Sequence, residues 1–124
     1  MPVPDRLPGL RVVADPAALD AARWQGDDLT ILRLAPDDVF AIGATGVEVD
    51  DEHAIVEAEP GFAGAWLPLD EVAHHVEWSL PTERPALAQG AVANIPARIW
   101  LPDDGHALLI TAAAYADELE SRLR

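Results

Sequence analysis

Apolar positions recur along this chain with two periods, and most segments follow the shorter one. Residues 29–34, Leu-Thr-Ile-Leu-Arg-Leu, put Leu29, Ile31 and Arg33 on one face and Thr30, Leu32 and Leu34 on the other. Period two is the mark of a strand. Pro36-Asp37-Asp38 supplies a turn, and residues 39–43 return as a second strand, so the pair reads as a hairpin. Residues 11–13 predict a short strand, residues 46–50 a brief extended piece, and residues 54–59 a strand in which Ile55 alternates with Val56. Pro60-Gly61 turns the chain into an extended segment over residues 62–67. Residues 91–101 read as a strand interrupted or edge-placed at Pro96, because proline brings no N–H to a ladder. Pro102-Asp103-Asp104-Gly105 predicts a hairpin turn, and residues 106–111 the returning strand.

The longer period marks helices. Asp15-Pro16 offers an N-cap and a first helical position, followed by Ala18, Leu19 and Ala22 on one face, with a stop at Gly26. Leu69, Val72, Ala73 and Val76 have i, i+3, i+4, i+7 spacing and predict an amphipathic helix over residues 69–78. A last helix opens at Ala112, with Tyr115, Ala116, Leu119 and Leu123 on its stripe and Arg122 and Arg124 in the final turn, where the helix dipole favours cations. Residues 79–85 hold two prolines and read as a loop, and residues 86–90 as a helical turn. Residues 1–10, with three prolines, read as an extended N-terminal arm. Paired strands, interspersed helices and no regular βαβ spacing predict one α+β domain over residues 11–124, with an antiparallel or mixed sheet and two to three helices. In its C-terminal part Trp100, Leu109, Tyr115 and Leu119 are expected to pack together.

Composition sharpens this picture. A chain of 124 residues, half of them hydrophobic, is long enough for a core of its own. It has no cysteine, hence no disulfide framework, thiol nucleophile or cysteine zinc site. No apolar run reaches membrane-helix length, and the N-terminus lacks the pattern of a signal peptide, so a cytoplasmic protein is expected.

The charge is more unusual. The net value is −14, and all eight basic residues are arginine. Between Arg33 and Arg84 there are twelve acids and no basic residue, so −12 of the −14 lies there. Such a field repels phosphate backbones, which argues against nucleic acid, and attracts a basic or amphipathic protein surface. Asp50, Asp51, Glu52 and Glu71 belong to this stretch and are candidates for meeting a partner. Trp78, between a helix and a proline loop, is the candidate anchor, since tryptophan is enriched at interface centres.

Catalytic and metal patterns are weaker. Glu71, His74 and His75 have a spacing used in carboxylate-bridged metal sites, yet no second motif matches it. Asp50-Asp51-Glu52-His53 lacks the alternating acids, central glycine and distal glutamate of a calcium loop. Ser79 and Ser121 lie in no nucleophile elbow, and Gly43-Ala44-Thr45-Gly46 lacks the lysine of a phosphate loop. The expectation is a noncatalytic protein with no cofactor and no metal.

Residues 78–123 carry a family resemblance. A glycine-led strand ends in aliphatic-Trp, Gly90…Ile99-Trp100-Leu101. An acidic turn, Asp103-Asp104-Gly105, and an apolar strand, Ala107-Leu108-Leu109-Ile110, follow. A helix then opens with Ala114-Tyr115-Ala116 and continues Asp117-Glu118-Leu119. This third of the chain resembles the small gamma subunit of heterotetrameric sarcosine oxidase. The resemblance implies a noncatalytic α+β subunit, similar in fold to folate-binding aminomethyltransferases, that packs against larger flavin- and folate-carrying subunits. The expected function is therefore an accessory subunit docking on a larger protein, in a sarcosine-oxidase-like or one-carbon system. Two other readings stand beside it: a small folate-type ligand-binding protein or enzyme, and a self-associating acidic protein.

Overall fold

The computed structural model describes residues 4–124. Nine strands and three helices follow in the order β1 (Asp5–Arg6), β2 (Gly9–Val13), α1 (Pro16–Asp20), β3 (Arg23–Ala35), β4 (Asp38–Glu48), β5 (Ile55–Ala58), β6 (Phe62–Pro68), α2 (Leu69–His74), β7 (Ala86–Val92), β8 (Ile95–Leu101), β9 (His106–Ala112) and α3 (Ala116–Leu123) among the described residues. A 3-10 turn, Ala113–Tyr115, leads into α3. Strands dominate and the helices are short, so the expected α+β class is matched only loosely. Of the arm expected over residues 1–10, residues 1–3 lie outside the described residues, while Asp5–Arg6 and Gly9–Leu10 lie in strands. Contacts divide the chain into two compact units, residues 7–60 and residues 61–124 with the β1 segment.

In residues 7–60 an antiparallel sheet has the order β3-β4-β2-β5. The expected 29–43 hairpin is present but longer, because β3 starts at Arg23 and α1 ends at Asp20. The Gly26-Asp27-Asp28 run that looks like a helix stop is an irregularity inside β3. The register against β4 shifts there, and Gly26, Asp28 and the facing Gly43 all have positive φ. Gly9 allows β2 to approach β4 closely, since a Cβ at that position would meet the Ala41 carbonyl oxygen at 2.3 Å. Val12, Leu19, Val39 and Ala41 are the buried centre of this unit.

In residues 61–124 the order is β1-β6-β9-β8-β7, all antiparallel. Leu67, Val72, Ile99, Leu101, Leu109, Leu119 and Leu123 form the core between this sheet and helices α2 and α3. Three expectations are corrected here. Residues 86–90 are not a helical turn: Ala86–Val92 pairs residue for residue with Ile95–Leu101. Small alanines are poor strand formers alone, but Ala86 facing Leu101 and Ala88 facing Ile99 fill a pleated surface, and pairing overrides propensity.

The strand expected over residues 91–101 is broken by a two-residue turn, Ala93-Asn94, both residues having left-handed φ of 49° and 66°. This is the geometry of a tight hairpin, which asparagine tolerates and alanine does not favour. The helix expected over residues 69–78 ends at His74. The His75 carbonyl, which a longer helix would use, instead accepts the Ala93 N–H at 2.8 Å. Val76 and Trp78 still reach the core, from irregular chain.

The expected packing of Trp100 and Tyr115 with Leu109 and Leu119 is half right. Leu109 and Leu119 share the core. Trp100 alternates onto the opposite face of β8, where its cross-strand partner is Leu108, and Tyr115 is 45% exposed.

Candidate functional site

The acidic candidates take different roles. Asp50, Asp51 and Glu52 lie between β4 and β5, with Asp50 and Glu52 exposed. Asp51 is bound into the fold: one carboxylate oxygen accepts the Asp15 N–H at 2.8 Å and the other the His53 N–H at 2.9 Å. These two donors hold its carboxyl below the ordinary range. It thus ties the segment preceding α1 to the β4–β5 loop, a task the sequence did not reveal. Beside it, β5 pairs with β2 alone and sits at the edge of its sheet, with Ile55 54% and Val56 44% exposed. Across the same sheet Arg11 makes a two-pronged ion pair with Asp38, at 2.6 and 2.7 Å, and a bond to Glu59 at 2.9 Å. The Asp38 contact leads in raising the arginine's already high pKa.

Glu71 and His74 are exposed on α2, and His75 is half-buried at its end. Among the described residues no group of three histidine or acidic side chains is placed to hold a metal ion. Trp78 is half-buried against the core, and its Nε1–H donates to the Ala91 carbonyl at 2.8 Å. Its ring lies over Gly90, where a Cβ would meet ring carbons at 2.6 Å. Glu71 and Trp78 belong to residues 61–124, whereas Asp50–Glu52 belong to residues 7–60.

A feature the sequence reading missed lies on the sheet face opposite α2 and α3. Cross-strand partners there form an apolar row, Trp66, Leu108, Trp100 and Leu87, with Trp66 46% exposed. The next row is Gly64, Ile110, Arg98 and Gln89. Beyond it a groove of about 360 Å³ opens, lined by Phe62, Gln89, Arg98, Ile110, Ala112 and Tyr115 among others. The Arg98 guanidinium carbon lies 5.6 Å from the centre of the Phe62 ring, within reach of a cation–π contact. The legible signal was Pro96 in a strand with Arg98 alternating beside it; which strands would flank them was not legible.

A solved structure shares this fold. The chain is similar to one in the heterotetrameric sarcosine oxidase from Corynebacterium sp. U-96, in complex with pyrrole 2-carboxylate. The match has a TM-score of 0.69 and 14% identity, covering 97% of this chain and 79% of that one. No family model matches the chain, and no curated protein matches it. No helix among the described residues is long and apolar enough to cross a membrane.

Proposed function

We propose that this chain is a noncatalytic accessory subunit that docks on a larger protein in a sarcosine-oxidase-like complex. The observation that carries this reading is the fold likeness over 97% of the chain to a chain of that multisubunit enzyme. The gamma-type motif pattern of residues 78–123 supports the finer assignment to a small subunit.

The surface we assign to the partner is the exposed edge strand β5 with its acidic flank. Asp50 and Glu52 precede Ile55 and Val56 in the chain and Glu57 follows them, all exposed, so the segment offers apolar contact flanked in sequence by negative charge. It fits a basic or amphipathic protein surface. Glu71 and Trp78 extend the candidate contacts on the other unit, with Trp66 as a more exposed tryptophan than Trp78. We place the protein in the cytoplasm.

The test is affinity purification of the tagged chain from its native host, followed by size exclusion with flavin absorbance. Co-elution of a larger flavoprotein at fixed stoichiometry supports the reading. Elution of the chain alone, at every salt concentration, refutes it.

A further inference from the structure

We infer that the groove beside Arg98 binds a small monocarboxylate with a flat apolar body. The groove exists for a reason written in the backbone. The β8–β9 ladder runs from Trp100 facing Leu108 to Arg98 facing Ile110 and stops. Carried on in that register, Ala97 would fall opposite Thr111 and Pro96 opposite Ala112, and proline has no N–H to give. The Thr111 hydroxyl donates to the Pro96 carbonyl at 3.0 Å instead. The β6–β9 ladder meanwhile continues to Phe62 facing Ala112. With β9 held to β6 and no longer laddered to β8, a concavity opens over Ile110 and Ala112. Its volume, about 360 Å³, lies within the range of small-molecule sites.

Arg98 gives the groove its chemistry. Acids outnumber arginines 22 to 8 in this chain. Arg11, Arg33, Arg84, Arg122 and Arg124 are each in an ion pair with a carboxylate. Arg98 is half-buried, yet it makes no hydrogen bond or ion pair with a described residue; its guanidinium lies over the face of Phe62 instead. A guanidinium presents its N–H groups as a planar fork that matches a carboxylate with two parallel bonds, and a π face satisfies none of them. Gln89 and Tyr115 add an amide and a phenol to the lining. Ile110, Ala112 and the Phe62 ring provide apolar walls for a flat body. The net charge of −14 disfavours ligands of multiple negative charge, so one carboxylate suits the site better than a phosphate or a polyacid.

The site is independent of the accessory-subunit reading, since the isolated full chain contains it. The probes are benzoate and its neutral isostere benzamide, followed by NMR line shifts and calorimetry. Benzoate is expected to saturate one site and benzamide to bind at least about tenfold more weakly. Arg98→Gln should weaken benzoate by about tenfold or more and leave benzamide unchanged. Ala91→Leu, which fills the groove while keeping Arg98, should abolish both. Melting curves show whether each variant is folded, and if Arg98→Gln is not, Ala91→Leu and the benzoate–benzamide contrast decide. Equal affinity for the two probes, benzoate binding unaltered in a folded Arg98→Gln or Ala91→Leu, or no saturation up to about 10 mM overturns the proposal.

Discussion

Two residues show how single atoms constrain this chain. Gly90 sits beneath the Trp78 ring with no room for a methyl group. Gly90→Ala must therefore push the ring off β7 and break the Nε1–H bond to Ala91. The expected cost is about 1–3 kcal/mol, the usual range for overpacking. The check is a denaturant melt together with faster solvent exchange of the Trp78 indole N–H. Asp51 and Asp103 have the opposite role, each accepting two backbone N–H groups that lower its pKa. In Asp103 the donors are Gly105 and His106, in the β8–β9 turn. A lowered folded pKa gives stability that is present above the unfolded value, about 4, and is lost as pH falls through the folded value. The melting temperature should thus hold steady from neutral pH down to about 5 and decline below about 4. In a double Asp51→Asn, Asp103→Asn variant that acid decline should be shallower, as measured by calorimetry across pH.

At the scale of elements, α3 is anchored by Leu119 and Leu123, both buried in the core under β8 and β9. The helix has only eight residues, too few to be stable alone, so its order depends on that packing. Leu119 is fully buried, and Leu119→Ala should cost about 2–5 kcal/mol in equilibrium unfolding. An unchanged midpoint would contradict the assignment. The β7–β8 turn is fixed from two sides: the Ala93 N–H donates to the His75 carbonyl, and the Ala93 carbonyl accepts from the Arg122 guanidinium. These long-range bonds hold alanine at an unfavourable φ without the Asn-Gly pair that announces such turns. That explains why the sequence reads as one continuous strand there.

For the whole molecule, charge and connectivity matter most. The acidity is concentrated in residues 7–60, with twelve acids against three arginines, a net −9; the other residues carry ten against five, a net −5. Asp38, Glu59 and Asp51 have partners inside their unit, which leaves Asp50, Glu52 and Glu57 as exposed charges around β5. Reversing Asp50 and Glu52 to lysine, with Asp51 kept for its structural bonds, should slow association with a captured partner more than it speeds dissociation. Affinity should also fall with ionic strength, since exposed charges are screened beyond about 8 Å at 0.15 M. Surface plasmon resonance across a salt series is the check; rates indifferent to salt and to the reversal would remove the acidic face from the interface. The single-domain proposal is tested by calorimetry: one transition is expected for residues 11–124, and two well-separated peaks would contradict it.

Period-two runs, Pro-Asp turns and the 69–76 stripe identified most strands and the cores of the helices from sequence alone, because burying one face imposes its period on the residues. Val72, Leu109 and Leu119 were legible as inward positions for that reason. The sequence also determined the charge and the lack of a thiol. Only the tertiary structure decided which strands become neighbours, and with them the fate of Ala86–Val92, the early end of α2 and the internal role of Asp51. Those outcomes depend on hydrogen bonds between residues distant in the chain, such as Ala93 to His75 and Asp15 to Asp51. The Arg98 groove is of the same kind. Pro96 says that a ladder must stop, but only the pairing of β9 with β6 turns that stop into a cavity.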